Sequence, residues 1–300
     1  MRHPLLLAAL ALVLAAHCPP TPAQSTSGQD AAAPKAAAPK DAKDAPNELT
    51  VMSYNLRFAS PRPPNSWPQR REVTRDAIRS VNPDLIGTQE GVYQQLKDIE
   101  ADLKGEYAQI ALGRDGGSKG EFMAVFYRKD RFEPVAYDHF WLSDTPDVIG
   151  STTWGHSNRR MVTWVRFKDR RTDREFYFWN THFDHQVQPA REKAAALVRQ
   201  RIEALGTSVP VILVGDFNAK AKDNKAYDIL TEGGFLKDTW QGEEQGTFHN
   251  FTGKAPPSRG RIDWVLTRGD VTPISTEIVR FNRDGQYPSD HFPVVAKLRY

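Results

Sequence analysis

The chain has 300 residues, 39% hydrophobic and 26% charged, with 40 Lys+Arg against 37 Asp+Glu. Its 7 Trp, 9 Tyr and 15 Phe exclude global disorder, and a net charge of +3 excludes both a strongly basic nucleic-acid wrapper and an acidic solvating chain. The one cysteine, Cys18, excludes a disulfide scaffold and a Cys-rich zinc site.

Residues 1–23 read as a secretory signal. Arg2 gives the positive start, Leu5–Ala16 is an unbroken apolar run, and Thr21-Pro22-Ala23 offers a small-residue cleavage site. The run is shorter than the roughly 20 residues that cross a bilayer, so no stable membrane span is expected. Export to the periplasm or medium is the expectation. Lipid anchoring through Cys18 is the alternative. Residues 24–47, with a repeated AAAPK, read as a semi-extended linker that buries no core. They carry Lys35, Lys40 and Lys43 against Asp30, Asp41 and Asp44, so the remainder stays near neutral.

Residues 48–300 suit one domain, since α/β domains run to about 250 residues. In chain order the strand-like runs and helices are as follows. Leu49–Tyr54 is a strand, and Arg70–Val81 is a helix after Pro68. Leu85–Thr88, Phe122–Tyr127 and Met161–Phe167 are strands, and Asp169–Arg174 is a hairpin turn. Phe176–Thr181 is a strand, and Ala190–Leu205 is a helix after Pro189. Val209–Val214, Ile262–Thr267 and Val294–Leu298 are the last strands. Neighbouring strands in the middle and helices near each end imply mixed α/β sheets.

Polar groups collect at the strand ends. Asn55, Glu90, His182, Asp216-Phe217-Asn218, Asp263 and Asp290-His291 each adjoin a strand, which places them along one rim of a sheet, where α/β folds site their chemistry. Taken singly each has a structural reading: Asn55 as a turn cap, Glu90 as a helix-start residue, Asp263 on a surface strand, the histidines as satisfied core groups. The set is oxygen-rich and suits a hard cation such as Mg²⁺, Mn²⁺ or Ca²⁺, not zinc. Asp216 and Asn218 lie two apart and, on an extended chain, point the same way to align a water. His182 and His291 titrate near neutrality. Together these groups can drive attack of water on a phosphoester.

The motifs MSYNLR (52–57), GTQE (87–90), GEFMAVFYR (120–128), NTHFDH (180–185), GDFN (215–218), RIDWV (261–265) and SDHFPV (289–294) resemble those of the endonuclease/exonuclease/phosphatase superfamily, in that family's order and across 49–298. Further signatures at NSW and RR (65–71), GRDGG (113–117) and FWLSDTPD (140–147) resemble a secreted bacterial subgroup of metal-dependent hydrolases. The resemblance implies a four-layer α/β sandwich with two facing mixed sheets, as in deoxyribonuclease. It implies Glu90 as principal metal ligand with Asn55 and Asp290 nearby, and Mg²⁺ as the cofactor, with Mn²⁺ or Ca²⁺ able to replace it. Asp216 and Asn218 bind and orient water and phosphate, and Asn55 contacts the phosphate as well. His182 is the general acid with Glu121 as its partner, His291 pairs with Asp263 and contacts phosphate, and Arg160 grips phosphate.

The expected activity is hydrolysis of a phosphodiester or phosphomonoester. A DNA or RNA nuclease is the alternative, with Arg70-Arg71, Arg159-Arg160 and Arg170-Arg171 as contacts to nucleic acid. A phospholipid phosphodiesterase and a non-catalytic binding module rank below. The loops 113–120 and 141–159 are expected to shape a small-substrate pocket, and Trp67 and Trp154 to line it. His185 reads as a loop histidine.

Overall fold

Successive side chains of a strand point to opposite faces, and here both faces are apolar. In Val211–Val214, Ile212 and Val214 join one buried cluster while Val211 and Leu213 join another, so the sheet must be covered twice. The computed structural model describes residues 47–300. The signal-like segment 1–23, Cys18 and the 24–47 linker up to its last residue lie outside the described residues.

In chain order the elements are β1 (Glu48–Asn55), α1 (Trp67–Val81), β2 (Leu85–Gln89), β3 (Gly91–Val92), α2 (Tyr93–Asp102), β4 (Tyr107–Ile110), β5 (Glu121–Phe122), β6 (Val125–Arg128) and β7 (Phe132–Trp141). They continue with β8 (Met161–Asp169), β9 (Glu175–His182), α3 (Gln188–Glu203), β10 (Val211–Asp216), α4 (Lys225–Thr231), β11 (Lys237–Asp238), β12 (Asp263–Arg268), β13 (Thr272–Ile278) and β14 (Val294–Arg299).

Two six-stranded sheets form, in the orders β13-β14-β1-β2-β6-β4 and β11-β12-β10-β9-β8-β7, beside a β3-β5 ribbon. Both are mixed: β1 runs parallel to β2, and β9 parallel to β10, among antiparallel neighbours. Leu49, Val51, Val294 and Leu298 of the first sheet share a core with Phe176, Phe178, Ile212 and Val214 of the second. Trp67 and Ile78 of α1 with Leu96 and Ile99 of α2 cover Met52, Ile86 and Phe126. Ala194 and Val198 of α3 with Tyr227 and Leu230 of α4 cover Trp179, Leu213 and Trp264. The fold is thus the four-layer sandwich that the motifs implied.

Where the expected elements differ, the cause is local. The run Phe122–Tyr127 divides: Glu121–Phe122 pairs with β3, and Val125–Arg128 joins the first sheet. Strand β7 escapes sequence reading because Pro134 interrupts it, yet it is an edge strand whose register shifts between Pro134 and Ala136, where a proline is tolerated. Helix α2 has only Gln95, Leu96 and Ile99 buried, too sparse a pattern to announce itself. Helix α1 starts earlier than expected, at Trp67, with Pro68 in its first turn and Ser66 N donating to Gln69 Oε1 at 3.3 Å.

Two features fix the rim at which β1, β2, β9 and β10 end. Gly87 sits where the sheets nearly touch: a Cβ there would lie 2.3 Å from Val214 Cγ2. Beside it Gln89 Nε2 donates to Asn180 Oδ1 at 2.7 Å, and Asn180 Nδ2 donates to the carbonyls of Thr88 and Ala124 at 2.8 and 2.9 Å, so a buried amide pair bridges the sheets. The second feature is Arg70, fully buried. It donates to the carbonyls of Asn65, Leu56, Pro288, Arg57 and Phe58 at 2.7–3.1 Å, tying the chain after β1 to the segment before β14. Arg70 is therefore no contact for nucleic acid, and Arg71 is engaged by Asp98 and Asp102.

Candidate active site

Strand register assembles the site. His182, the last residue of β9, stands beside Asp216, the last of β10, and Asp216 stands opposite Asp263, the first of β12. Three chemically active side chains thus share one row across the second sheet. In the first sheet Asn55 stands beside Gln89. The next residue, Glu90, turns away from the strand with φ 62°, a left-handed conformation that costs a non-glycine residue on the order of 1 kcal/mol and persists where surroundings over-determine it. Asp290 and His291 arrive on the segment before β14 that Arg70 holds through Pro288.

Asp216 is the hub. Its Oδ2 accepts from Asn55 Nδ2 at 2.9 Å and lies 3.4 Å from His182 Nε2 and 3.8 Å from His291 Nε2. Its Oδ1 accepts from the Asn218 N–H at 2.9 Å. Asn218 has φ 48°, so this is a left-handed turn rather than the extended dipeptide expected. The turn folds Asn218 back so that its Nδ2 donates to His182 Nε2 at 3.0 Å and to the Phe183 carbonyl at 3.1 Å. His291 Nδ1 lies 2.9 Å from Asp263 Oδ2, as the motifs implied.

Charge and burial divide the groups. Burial disfavours the charged form of His291, but Asp263 and Asp216 outweigh it and push its pKa up to about 10. Burial, then the Asp263 charge, pushes Asp216 up to about 7. His182 is held neutral, first by burial and then by the positive charges of Arg160, Arg114 and His291. Burial alone would raise Glu90, yet His291, the Asn55 amide at 3.1 Å and Arg57 bring it below the usual range. Asp290 is raised by burial and by Glu90.

Two groups of donors lie within 4.8 Å of one another: Glu90, His182 and Asp216, and Asp216, Asp263 and His291. Glu90 and Asp290, both close to Arg57, add a further acidic pair. Buried carboxylates in surplus over their fixed cations fit a hard divalent ion. Asn55 differs from the expected ligand role. Its Oδ1 accepts from the Arg57 N–H at 2.9 Å and its Nδ2 faces Glu90 and Asp216, so it positions two carboxylates with a nitrogen that does not ligate.

Glu121 also departs from expectation. Its carboxylate is taken by Arg114 Nη1 at 2.6 Å, and His182 Nδ1 is buried without a protein partner. The expected His182–Glu121 pair does not form, because the β3-β5 ribbon hands Glu121 to the loop arginine. Arg160 is buried at the cleft wall. Its Nη2 lies 3.0 Å from His185 Nδ1, its Nε is 3.7 Å from Asp184 Oδ2, and its Nε and Nη1 have no hydrogen-bond partner.

Glu90, Glu121, Arg160, His182, Asp216, Asn218, Asp290 and His291 line a cleft of about 320 Å³, with Asn55 and Asp263 behind its wall. Arg114 and Asn158 in its wall come from the 113–120 and 141–159 loops, as expected. Arg57, Phe58, Phe248 and Arg259 also line it, though none was singled out in the sequence. Arg57 and Phe58 follow Asn55 within MSYNLR, so position alone could have flagged them; Phe248 and Arg259 lie outside every motif. Trp67 and Trp154 are absent from the lining: Trp67 Nε1 donates to Asp98 at 2.8 Å and Trp154 Nε1 to Asp144 at 2.7 Å. Arg159 pairs with Asp115, Arg170 with Glu133 and Arg171 with Asp169, so those candidate phosphate contacts have acidic partners within the chain. Among the described residues no helix is long and apolar enough to cross a membrane.

The model of the endonuclease/exonuclease/phosphatase family matches residues 52–291. A solved protein of that family from Bacteroides thetaiotaomicron is 36% identical, with a TM-score of 0.79, covering 84% of this chain and 98% of its own. A mannosyl-6-phosphatase of the same organism is 35% identical with a TM-score of 0.78, covering 84% of this chain and all of its own. An uncharacterized protein of Acanthamoeba polyphaga mimivirus is 28% identical over 176 residues, 56% of this chain, and the match spans 65% of that relative.

Proposed function

The chain belongs to the endonuclease/exonuclease/phosphatase family, whose members are metal-dependent phosphoesterases, and from that premise we propose that it is an exported hydrolase of small phosphate esters, phosphorylated sugars foremost. The observation that carries this reading is the cleft itself and its lining: about 320 Å³, open to solvent on one side, with room for a phosphate and a sugar ring. Arg57, Arg114, Arg160 and Arg259 stand around it with Phe58 and Phe248 among them. Guanidinium groups bind phosphate oxygens in a planar fork, and aromatic rings suit the apolar face of a sugar. The 35% identity to a mannosyl-6-phosphatase supports the same class. Duplex binding is dominated by phosphate contacts spread over a surface, and four of the six arginines best placed by sequence to make them, Arg71, Arg159, Arg170 and Arg171, have acidic partners in the fold.

In this reading Glu90 and Asp290 hold the divalent cation, Mg²⁺ in the first instance, which when bound neutralises charge on the phosphoryl and leaving oxygens. Asp216, with its pKa near the operating range, takes the proton of the attacking water. Asn218 and Asn55 hold Asp216 in place for that step. His291, kept cationic by Asp263 and Asp216, donates to a non-bridging phosphoryl oxygen. Arg160 offers its unpartnered Nε and Nη1 to another.

The deciding experiment is a panel assayed with Mg²⁺ or Mn²⁺: mannose 6-phosphate, p-nitrophenyl phosphate, bis-p-nitrophenyl phosphate, plasmid DNA and RNA, and sphingomyelin vesicles. The sugar phosphate is expected to be preferred by kcat/KM. Cleavage of DNA or RNA in preference to every small ester would replace this reading with the nuclease. Residues 1–23 are proposed as the export signal, 24–47 as linker and 48–300 as the catalytic domain. N-terminal sequencing of the exported protein should begin after Ala23, whereas a Cys18→Ser variant that leaves the membrane fraction would establish the lipid-anchored form instead.

A further inference from the structure

Arg57 is the one cleft arginine that approaches the acidic pair proposed to hold the cation. Its Nη1 lies 3.8 Å from Glu90 Oε2 and its Nε 3.7 Å from Asp290 Oδ2. Both distances exceed a hydrogen bond, so the attraction is Coulombic and the guanidinium is not locked to either oxygen. Its carbon rests 4.4 Å above the Phe58 ring, and its side chain is 38% exposed, against 13% for Arg114 and 4% for Arg160. Arg114 is bonded to Glu121 and Arg160 to His185. Among the described residues, Arg57 has no hydrogen-bonded side-chain partner.

The backbone beneath it is the opposite. Arg57 has φ 53°, the strained left-handed region for a non-glycine residue. Three bonds impose it: its N–H donates to Asn55 Oδ1 at 2.9 Å, and its carbonyl accepts from Arg70 Nη2 and Gln95 Nε2, each at 3.0 Å. Arg70 and Gln95 are both fully buried. The fold therefore spends rigid, buried donors to aim one loosely held cation between two acids.

We propose that Arg57 is a built-in counter-cation for the Glu90–Asp290 pair, which competes with the divalent ion for those carboxylates and turns to the substrate phosphate once the ion is bound. This rests on the reading of Glu90 and Asp290 as the cation's holders. A positive charge about 4 Å from the carboxylates repels an incoming cation, and near solvent that repulsion is a several-fold effect on affinity. Displaced from the acids, the same guanidinium has donors free for the phosphate oxygens brought to the cleft. The two roles predict opposite consequences of removing it.

The test is calorimetric titration of the metal-stripped full chain with Mn²⁺, then titration of the Mn²⁺-loaded protein with inorganic phosphate, for wild type, Arg57→Gln and Arg57→Lys. Arg57→Gln should bind Mn²⁺ about three- to tenfold more tightly and phosphate about ten- to a hundredfold more weakly. Arg57→Lys keeps the charge, so it should bind Mn²⁺ as wild type does, with a lesser loss for phosphate because a point charge replaces a fork. Mn²⁺ affinity that is unchanged or weaker in Arg57→Gln overturns the inference while leaving the metal site in place. Equal tightening in Arg57→Lys overturns it too, since charge would not be the cause. A wild type that takes up no Mn²⁺ removes the metal reading itself.

Discussion

The two rims of the sandwich both bury charge, and they treat it differently. At the rim away from the cleft, Arg131 reaches Asp84 at 2.7 Å, Asp169 at 2.8 Å and the Glu48 carbonyl at 2.7 Å, while the Tyr300 hydroxyl donates to Asp169 at 2.7 Å. Each charge there has a partner, and none of these groups has a buried atom left without one. At the cleft rim the acids Glu90, Asp216, Asp263 and Asp290 crowd together, and His182 Nδ1, Asp263 Oδ1 and two nitrogens of Arg160 are buried without partners. A satisfied ionic cluster is scaffold. An unsatisfied one fits the proposed reading, in which a cation and a phosphate complete it.

Breaking each cluster should separate the two roles. Asp216→Asn should lower kcat by about a thousandfold with the melting temperature unchanged or higher, because a buried like charge is removed; steady-state rates and calorimetry check both. Arg131→Met should do the reverse, costing about 3–5 kcal/mol by stranding a buried carboxylate, read as a lower urea midpoint, with kcat of the folded fraction kept. Divalent ion at a hundred times its dissociation constant should stabilise the wild type by about 2.7 kcal/mol. Chelator should reverse that gain, and Glu90→Gln should abolish it; a wild type equally stable with and without the ion would count against the cleft rim as its holder.

The smallest effect concerns pH. Burial lowers the pKa of His139 to about 4 in the fold, whereas an unfolded histidine titrates near 6.5. Between those values the unfolded chain binds the extra proton, so stability is complete above pH 6.5 and falls as pH drops toward 4. The expected loss is about 1–2 kcal/mol, and His139→Gln should flatten that part of a urea-midpoint-against-pH curve.

The strands that carry the motifs were legible because their apolar runs are buried on both faces and end in polar groups. Edge strands β7 and β13 and the short α2 were not, since half-exposed elements lack a strong period. The identity of the site residues could be read, and so could the Asp263–His291 pair through the motif likeness. What could not be read was which carboxylate goes to which cation. Glu121 belongs to Arg114 because a two-residue ribbon places it there, and Asn55 turns its nitrogen inward because the Arg57 N–H claims its oxygen. Such choices depend on tertiary register and left-handed turns at Arg57, Glu90 and Asn218, of which only Asn218 is of a type that favours that conformation. Arg70 misled for a related reason: an arginine beside another arginine reads as an exposed contact for nucleic acid, and only the fold shows five carbonyls closing around it.

Five main-chain oxygens around one positive group is the kind of shell that many proteins build around a calcium ion. Here the ion is welded to the chain. A chelating agent can strip the reactive centre but cannot extract the cation that shapes the loops behind it, so the empty protein should keep the outline of the loaded one and recharge without refolding.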